Sequence, residues 1–510
     1  MRADERQPVN HPLRVVIADR IPSHNKGEMA ILGGIAEGLH MFGDVQLSIL
    51  TDRPDEDGSR YGNEAKAVDL EEPVRFLRNF GSAESILKSF AFLCQHCLFV
   101  VLYKALGTSV LSLMRSSIWR EYIESDLILI GHNSSYGPGG KIGMPIYFYH
   151  LYLPIIARIL KKPTAMVGGS IRRTTRFRGP IKLLYCLSLG NIDLITFREK
   201  TSLDILAEYG VENGRVFVLP DPAFLLEPAD ESSVQEILSG ERLIGKKPLI
   251  GLTVTRSKAA KAFESEGDSS SYDRHNEGIA RLIDLLTDEL NAYVVFIPHC
   301  TGPSPDLDDR LVASDILELV DNADRVTIMT KEYSASELKG IISRLDILLG
   351  ERIHSVVNAL SMCIPALALI DFRDPRIDIF RQVDLGDMAF PIENLNVNGL
   401  FLKVREMLAS SAEIRSRLSD RKDATRDGAM KNFVLLRELI GIESSSPNQI
   451  GSSFGQGPQA NRSKCRESPT NDCRAAATIS QVIPAADTTS STSPVASPVS
   501  VVIPRVSSAR

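Results

Sequence analysis

Two short segments carry the residue types best suited to chemistry. Ile297-Pro298-His299 closes one apolar run, and Leu349-Gly-Glu351-Arg352-Ile353-His354 closes another. In an extended segment alternate side chains share a face, so Arg352 and His354 are expected to point together, away from Ile353. Ser355 stands where it could cap a helix over Val356 to Leu360, setting His354 beside the positive end of that helix. A permanent cation, a titratable imidazole and free backbone N–H groups suit an anionic substrate that must receive a proton. A lone histidine is usually structural. Two at strand ends of one sheet, one of them beside an arginine, favour chemistry.

Four other segments offer binding groups, and each also reads as ordinary structure. Asn25-Lys-Gly27-Glu28 lies in a polar turn between a strand and a helix, which is either an anion site or a turn needing special backbone. It matches neither common nucleotide fingerprint. Gly131-His-Asn-Ser-Ser-Tyr-Gly-Pro-Gly-Gly140 could approach a ligand closely or be a plain loop. After Val167-Gly-Gly-Ser-Ile171 come Arg172, Arg173, Arg176 and Arg178, a clamp for phosphate or carboxylate or a solvated basic loop. Arg198-Glu199 leaves a strand ending at Phe197, whereas Asp221, between Pro220 and Pro222, reads as a structural turn residue. Cys94 and Cys97 have no second pair nearby to complete a zinc site and are expected in the core.

The strands and helices that hold these residues follow from the apolar runs. Arg14–Asp19, Asp126–Ile130, Thr164–Val167 and Asp193–Phe197 form one set of strands. Leu249–Val254, Tyr293–Ile297, Asp346–Leu349 and Pro365–Ile370 form another. Near-continuous Val, Ile and Leu mark strands buried on both faces of parallel sheets. Helical stretches such as Glu277 to Leu290 and Glu332 to Arg344 separate them. The pattern predicts an α/β chain with two Rossmann-like domains facing a cleft, over residues 12–226 and 245–443, the second with terminal helices. In such sheets ligands bind beyond the carboxyl ends of the strands.

The chain has 510 residues, 43% hydrophobic and 24% charged, with a net charge of −6. That balance suits packed cores and argues against a nucleic-acid partner, whose phosphates demand a basic surface. Seven cysteines, an odd number, exclude a fully paired disulfide framework and point to a reducing cytoplasm. The start of the chain shows no signal-peptide pattern. Phe90 to Tyr103 is apolar but interrupted by Gln95 and His96, so it is expected to pack under a domain or rest against the inner face of a membrane rather than span it. Residues 444–510 hold 27 Ser, Thr or Pro and one aromatic, Phe454, so this tail is expected to be disordered.

Taken in order, Asn25-Lys-Gly-Glu28, Phe197-Arg-Glu199, Pro220-Asp221-Pro222, Ile297-Pro-His299, Glu351-Arg-Ile-His354, Asn358-Ala-Leu and Ile364-Pro365 resemble the polysaccharide pyruvyl transferase family. The resemblance runs from about Val15 to Asp371. It implies a fold similar to GT-B glycosyltransferases and transfer of pyruvate from phosphoenolpyruvate to a glycan as a ketal. It further implies that Arg198, Arg352 and His354 hold the donor, with no metal and no cofactor. Asn25, Gly27, Glu28, Glu199, His299, Glu351, Ser355, Arg172 and Arg173 are then candidates for substrate binding. The implied acceptor is a glycan or a lipid-linked or nucleotide-linked sugar. Glu28 replaces the family's usual Asp, Gly131-His132-Asn133 its glycine triplet and Arg172-Arg173 its Gly-Pro, which points to an unusual acceptor. The rival readings are a GT-B glycosyltransferase using a nucleotide sugar and a non-catalytic glycan-binding or assembly protein.

Overall fold

The computed structural model describes residues 12–70, 83–113, 116–130, 153–171, 179–211, 213–256, 270–371, 374–382, 386–392 and 395–441. The Gly131–Gly140 loop, Arg172, Arg173 and the 444–510 tail lie outside the described residues.

The first sheet contains β1 (Leu13–Ile17), β2 (Val45–Thr51), β3 (Lys66–Asp69), β4 (Leu127–Leu129), β5 (Thr164–Gly169), β6 (Leu194–Phe197) and β7 (Val216–Val218). Their order is β3-β2-β1-β4-β5-β6-β7. The second contains β8 (Leu249–Thr253), β9 (Tyr293–Phe296), β10 (Val326–Ile328), β11 (Ile347–Gly350), β12 (Ala366–Ile370) and β13 (Ala389–Pro391), ordered β10-β9-β8-β11-β12-β13. Every pairing is parallel. Strand order reverses between β1 and β4 and again between β8 and β11, the switch points where such sheets take ligands.

Alternation along the strands fills both faces of the first sheet. Val15, Ile17, Leu127, Leu129 and Val167 join the core shared with the helix Lys26–Leu39 and the second sheet. Val16, Ala18, Ile128, Met166 and Ile195 face a second core with Phe99, Trp119, Tyr122 and Tyr185. The last helix, Ser411–Ile440, serves both sheets. Near its start Arg415 donates to the Leu345 carbonyl at 2.9 Å, and near its end Asn432 donates to the Pro220 carbonyl at 3.2 Å.

Several local expectations need correction. The polar stretch between the two strand sets contains a helix, Glu231–Gly240, begun by an Asp230 cap. The helix expected from Glu332 starts at Ala335, where Ser334 and Glu337 form a capping box. Cys94 and Cys97 are exposed rather than core. They lie on the helix Ala83–Leu106, which turns His96 inward against Trp119 and leaves Leu87, Phe90, Leu98 and Val101 in solvent. The apolar stretch is also longer than Phe90 to Tyr103: the 19 residues Cys94–Ser112 reach spanning length by composition.

Candidate active site

The site is assembled where the strand ends of the two sheets meet. Beyond β1 the chain enters the helix Lys26–Leu39, capped by Asn25, whose Oδ1 accepts from the Gly27 N–H at 3.1 Å. This turn is tied to the second sheet. Lys26 N–H donates to the His299 carbonyl at 2.7 Å, and Thr301 N–H to the His24 carbonyl at 3.2 Å. Buried Lys26 also reaches Glu332 at 2.7 Å, which Arg60 holds from the other side. Asn25 and Gly27 therefore sit at the junction of the domains.

Arg198, at the end of β6, is 2% exposed. Its Nε donates to Ser170 Oγ at 2.8 Å, its Nη1 donates to Asp221 Oδ2 at 2.8 Å, and that Nη1 lies 3.1 Å from His354 Nε2. Burial works against this charge, but Asp221, Glu199 and Glu28 outweigh it and keep the guanidinium ionised. That influence places Glu28 within electrostatic reach of the site. Glu199 is fully buried, accepts from Ser170 at 2.9 Å and is bonded by Ser202. Burial raises its pKa. Glu199 thus braces the arginine from behind.

Asp221 corrects the sequence reading most directly. Its flanking prolines do shape a turn, and its Oδ1 accepts from Ala223 N–H at 2.9 Å. Its Oδ2, however, faces both Arg198 and His354, the latter at 3.6 Å. Burial alone would raise its pKa, but Arg198 and His354 hold the carboxyl well below the usual range. It is an ionised carboxylate beside the imidazole, a role that sequence position alone did not reveal.

On the second sheet, Arg352 and His354 do not share a face as alternating residues. The helix Ile353–Ser361 already begins after Arg352, so the extended-strand argument does not apply. Ser355 is inside that helix rather than its cap. Its Oγ donates to the Arg352 carbonyl at 2.6 Å and contacts Thr253 Oγ1 at 3.0 Å, fully buried. Arg352 turns instead to Asp309, with its Nε 3.1 Å and its Nη2 2.5 Å from the two carboxylate oxygens. Asp309 also accepts the backbone N–H groups of His299 at 3.0 Å and Cys300 at 2.9 Å. This bidentate grip uses one edge of the guanidinium, and among the described residues Nη1 makes no hydrogen bond.

His299 is buried, and its Nδ1 pairs with the Ile297 carbonyl at 3.0 Å. That bond assigns the proton to Nδ1 and leaves Nε2 as an acceptor with no described partner. Burial, aided by Arg352, His354 and Lys26, pulls its pKa down to about 4, so it is neutral at pH 7. Glu351 points away from Arg352. Its Oε2 accepts from Thr255 N–H at 2.7 Å and its Oε1 lies 2.8 Å from His275 Nε2. Burial opposes the His275 charge, but Glu351 prevails and raises its pKa. The pair anchors the β11 turn to the helix Ser270–Leu290.

Of the expected residues, Arg198, His354, Asn25, Gly27, Glu28, Arg352 and His299 gather around this junction. Glu199, Glu351 and Ser355 support them from buried positions. Asp309 and His275 are additions that the sequence did not mark, and Asp221 and Ser170, read there only as parts of turns, gain a place in the site. A short polar residue in a turn or a helical histidine carries no spacing signal.

The architecture is similar to solved GT-B enzymes. A glycosyltransferase from Rickettsia africae superposes with TM-score 0.50 at 11% identity, covering 85% of this chain and 100% of that one. MnaA of S. aureus, solved with UDP, gives 0.50 at 14% identity, covering 86% and 100%. At such identities the likeness concerns the fold alone. In sequence, the amylovoran biosynthesis protein AmsJ of Erwinia amylovora is 23% identical over 279 residues. The match covers 54% of this chain and 64% of AmsJ, so this chain spans under two thirds of that relative. Residues 25–370, which hold every side chain of the cluster, match the polysaccharide pyruvyl transferase family, and the chain belongs to that family.

Proposed function

We propose that this protein transfers pyruvate from phosphoenolpyruvate to two hydroxyls of a glycan or glycan precursor, forming a ketal in polysaccharide biosynthesis. The observation that carries this reading is the meeting of Arg198, from the first sheet, with His354, from the second, beside the Asp221 carboxylate, while Arg352 and His354 both act on His299. Phosphoenolpyruvate bears a phosphate and a carboxylate, and two guanidiniums match two anionic groups. The open Nη1 of Arg352 is the first point of attachment.

In the reaction His354 gives a proton to the methylene carbon, and C2 becomes an oxocarbenium centre. One sugar hydroxyl adds its oxygen to C2 and loses its proton. The C2–O bond to phosphate then breaks, with the electron pair leaving on phosphate. A second hydroxyl adds to the regenerated cation and loses its own proton, closing the ketal. One of the two hydroxyl protons balances the proton spent on carbon, and the other ends on the departing phosphate. Asp221 stabilises the protonated imidazole, and neutral His299 offers a lone pair to an acceptor hydroxyl.

The outer face of the helix Ala83–Leu106 supports a lipid surface as the place where the acceptor is met. Its exposed described residues are apolar, joined only by Gln95 and Lys104, and the helix Gly179–Gly190 adds exposed Lys182, Leu183 and Leu187. No acidic residue is exposed among the described positions of either helix. Apolar surface flanked by lysines suits anionic lipid. Meanwhile Phe99 stacks on Trp119 at 4.0 Å, committing the inner side to the domain, which favours a helix resting along a bilayer over one crossing it.

Phosphate release from phosphoenolpyruvate in the presence of glycan precursors tests the reaction. Acceptor-dependent phosphate release is the expected result. Release of a nucleoside diphosphate from a nucleotide sugar instead would favour a glycosyltransferase, and neither activity would favour a binding role.

A further inference from the structure

A second cluster of cations lies behind the linker that joins the two sheets. Lys339, Arg421, Lys422 and Arg426 line a cavity of about 310 Å³, opposed among its lining residues by a single carboxylate, Glu227. The floor is apolar, including Phe224 and Leu360. Lys339 is 2% exposed, and its ammonium donates to the Leu226 carbonyl. Neither Lys339 nor Lys422 forms an ion pair among the described residues. Arg426 pairs with Glu227 at 2.7 Å, at the half-exposed rim.

A buried ammonium served by one carbonyl is costly, and Arg426 and Lys422 add to that cost while Glu227 offsets part of it. Burial, with Arg426 and Lys422 and against Glu227, pulls Lys339 down to about 8. A purely structural lysine needs no such company. We propose that this cavity binds a small molecule carrying a phosphate or diphosphate group, at a site separate from the catalytic cleft. Arg421 and Arg426 supply planar forks for phosphate oxygens, and Lys339 and Lys422 supply point charges. The apolar floor accepts the carbon body of the ligand. The helix Ile353–Ser361 separates the sites: His354 lies in its first turn and Ser361 in the cavity wall, seven residues on, which sets them roughly 10 Å apart along its axis.

Bound anion would favour the charged form of Lys339, so binding should weaken as pH rises through about 8. The charged groups facing that ammonium are Glu227 from the linker and Arg421, Lys422 and Arg426 from the last helix.

Titration calorimetry of the full chain with inorganic pyrophosphate at pH 7 tests the site. One saturable event is expected, weakened at least about tenfold by Lys422→Ala, as for loss of a charge-assisted contact. It should persist in Arg352→Ala, which disables the cleft. With sulfate, whose charge is constant, wild-type affinity should fall between pH 7 and 9, and Lys339→Met should abolish that dependence. If Lys339→Met does not fold, the exposed Lys422→Ala variant decides alone. Absence of saturable binding overturns the proposal. So does binding that survives Lys422→Ala unchanged or disappears in Arg352→Ala.

Discussion

Gly27 packs directly against His354: a Cβ built on Gly27 would lie 2.5 Å from His354 Nδ1. The first turn of the first sheet's helix and the first turn of the second sheet's helix are therefore in contact through a residue that must lack a side chain. Nearby, Gly34 meets the Pro222 carbonyl so closely that a Cβ there would lie 1.9 Å from it. One glycine seats the imidazole, and the other seats the turn that carries Asp221.

Gly27→Ala should therefore act on catalysis more than on folding. Alanine suits a helix better than glycine by roughly 0.5–1 kcal/mol, which offsets part of the clash. The His354 ring must still move by a fraction of an ångström to about 1 Å, a displacement that can cost roughly 10²-fold in rate. We expect kcat to fall by that order with Tm little changed. Parental kcat in a folded variant would show that the ring position is not critical.

Asp221→Asn keeps the turn and its bond to Ala223 but removes the negative charge beside the imidazole. We expect kcat to fall roughly 10²–10³-fold as the imidazole loses its counter-charge. A depressed carboxylate contributes stability above its unfolded pKa of about 4 and loses it as pH falls further. Urea denaturation between pH 4 and 2 should accordingly be less steeply pH-dependent in the variant. An unchanged kcat would return Asp221 to a structural role.

Replacing Arg352 and His354 should fail in different ways. Arg352→Lys keeps the charge but loses the fork that grips Asp309 while leaving Nη1 free. Donor KM should rise, with a loss of about 1.5–3 kcal/mol. His354→Gln retains a donor but no titrating proton, so kcat should fall by roughly 10²–10⁴ while donor binding changes little. Near-parental turnover with the parental pH profile in His354→Gln would remove it from the chemistry.

Central strands were legible in the sequence because burial on both faces leaves continuous Val, Ile and Leu. β3, β7, β10 and β13 are sheet edges with partly exposed residues, and β2 is broken by Gln46 and Ser48, so none reads as such a run. In the site, arginines and histidines at strand ends stood out by type and position. Their partners did not, since Asp221 and Asp309 gain meaning only when a distant guanidinium arrives. Helix 83–106 was legible as apolar, but which side faces water depends on Trp119, a contact with no sequence signature.

His96 and His299 should together make stability depend on pH. Burial is the chief cause in both and pulls each to about 4. The unfolded chain binds these protons near pH 6.5 and the folded chain only near 4, so stability is full above about 6.5 and declines as pH falls toward 4. Each group contributes on the order of 3 kcal/mol across that window. A His96→Phe/His299→Gln variant should show a flatter dependence of urea midpoint on pH from 6.5 to 4. An identical slope in the two proteins would show that neither histidine is neutral when folded.

The outward face of the helix Ala83–Leu106 gives the last expectation. Fully burying a Leu or Phe is worth roughly 1.5–3 kcal/mol, and partial insertion of Leu87, Phe90, Leu98 and Val101 at a bilayer surface would recover some of it for each. The protein should float with vesicles containing phosphatidylglycerol, less with neutral phosphatidylcholine vesicles, and be released by alkaline carbonate. Leu98→Glu and Val101→Glu together should abolish flotation while leaving turnover on a soluble acceptor intact, because both side chains already face water. If the wild-type protein does not float but sediments as a dimer that these substitutions dissociate, a second copy covers the face. If only detergent extracts it from membranes, the segment crosses the bilayer and the surface-bound arrangement is wrong.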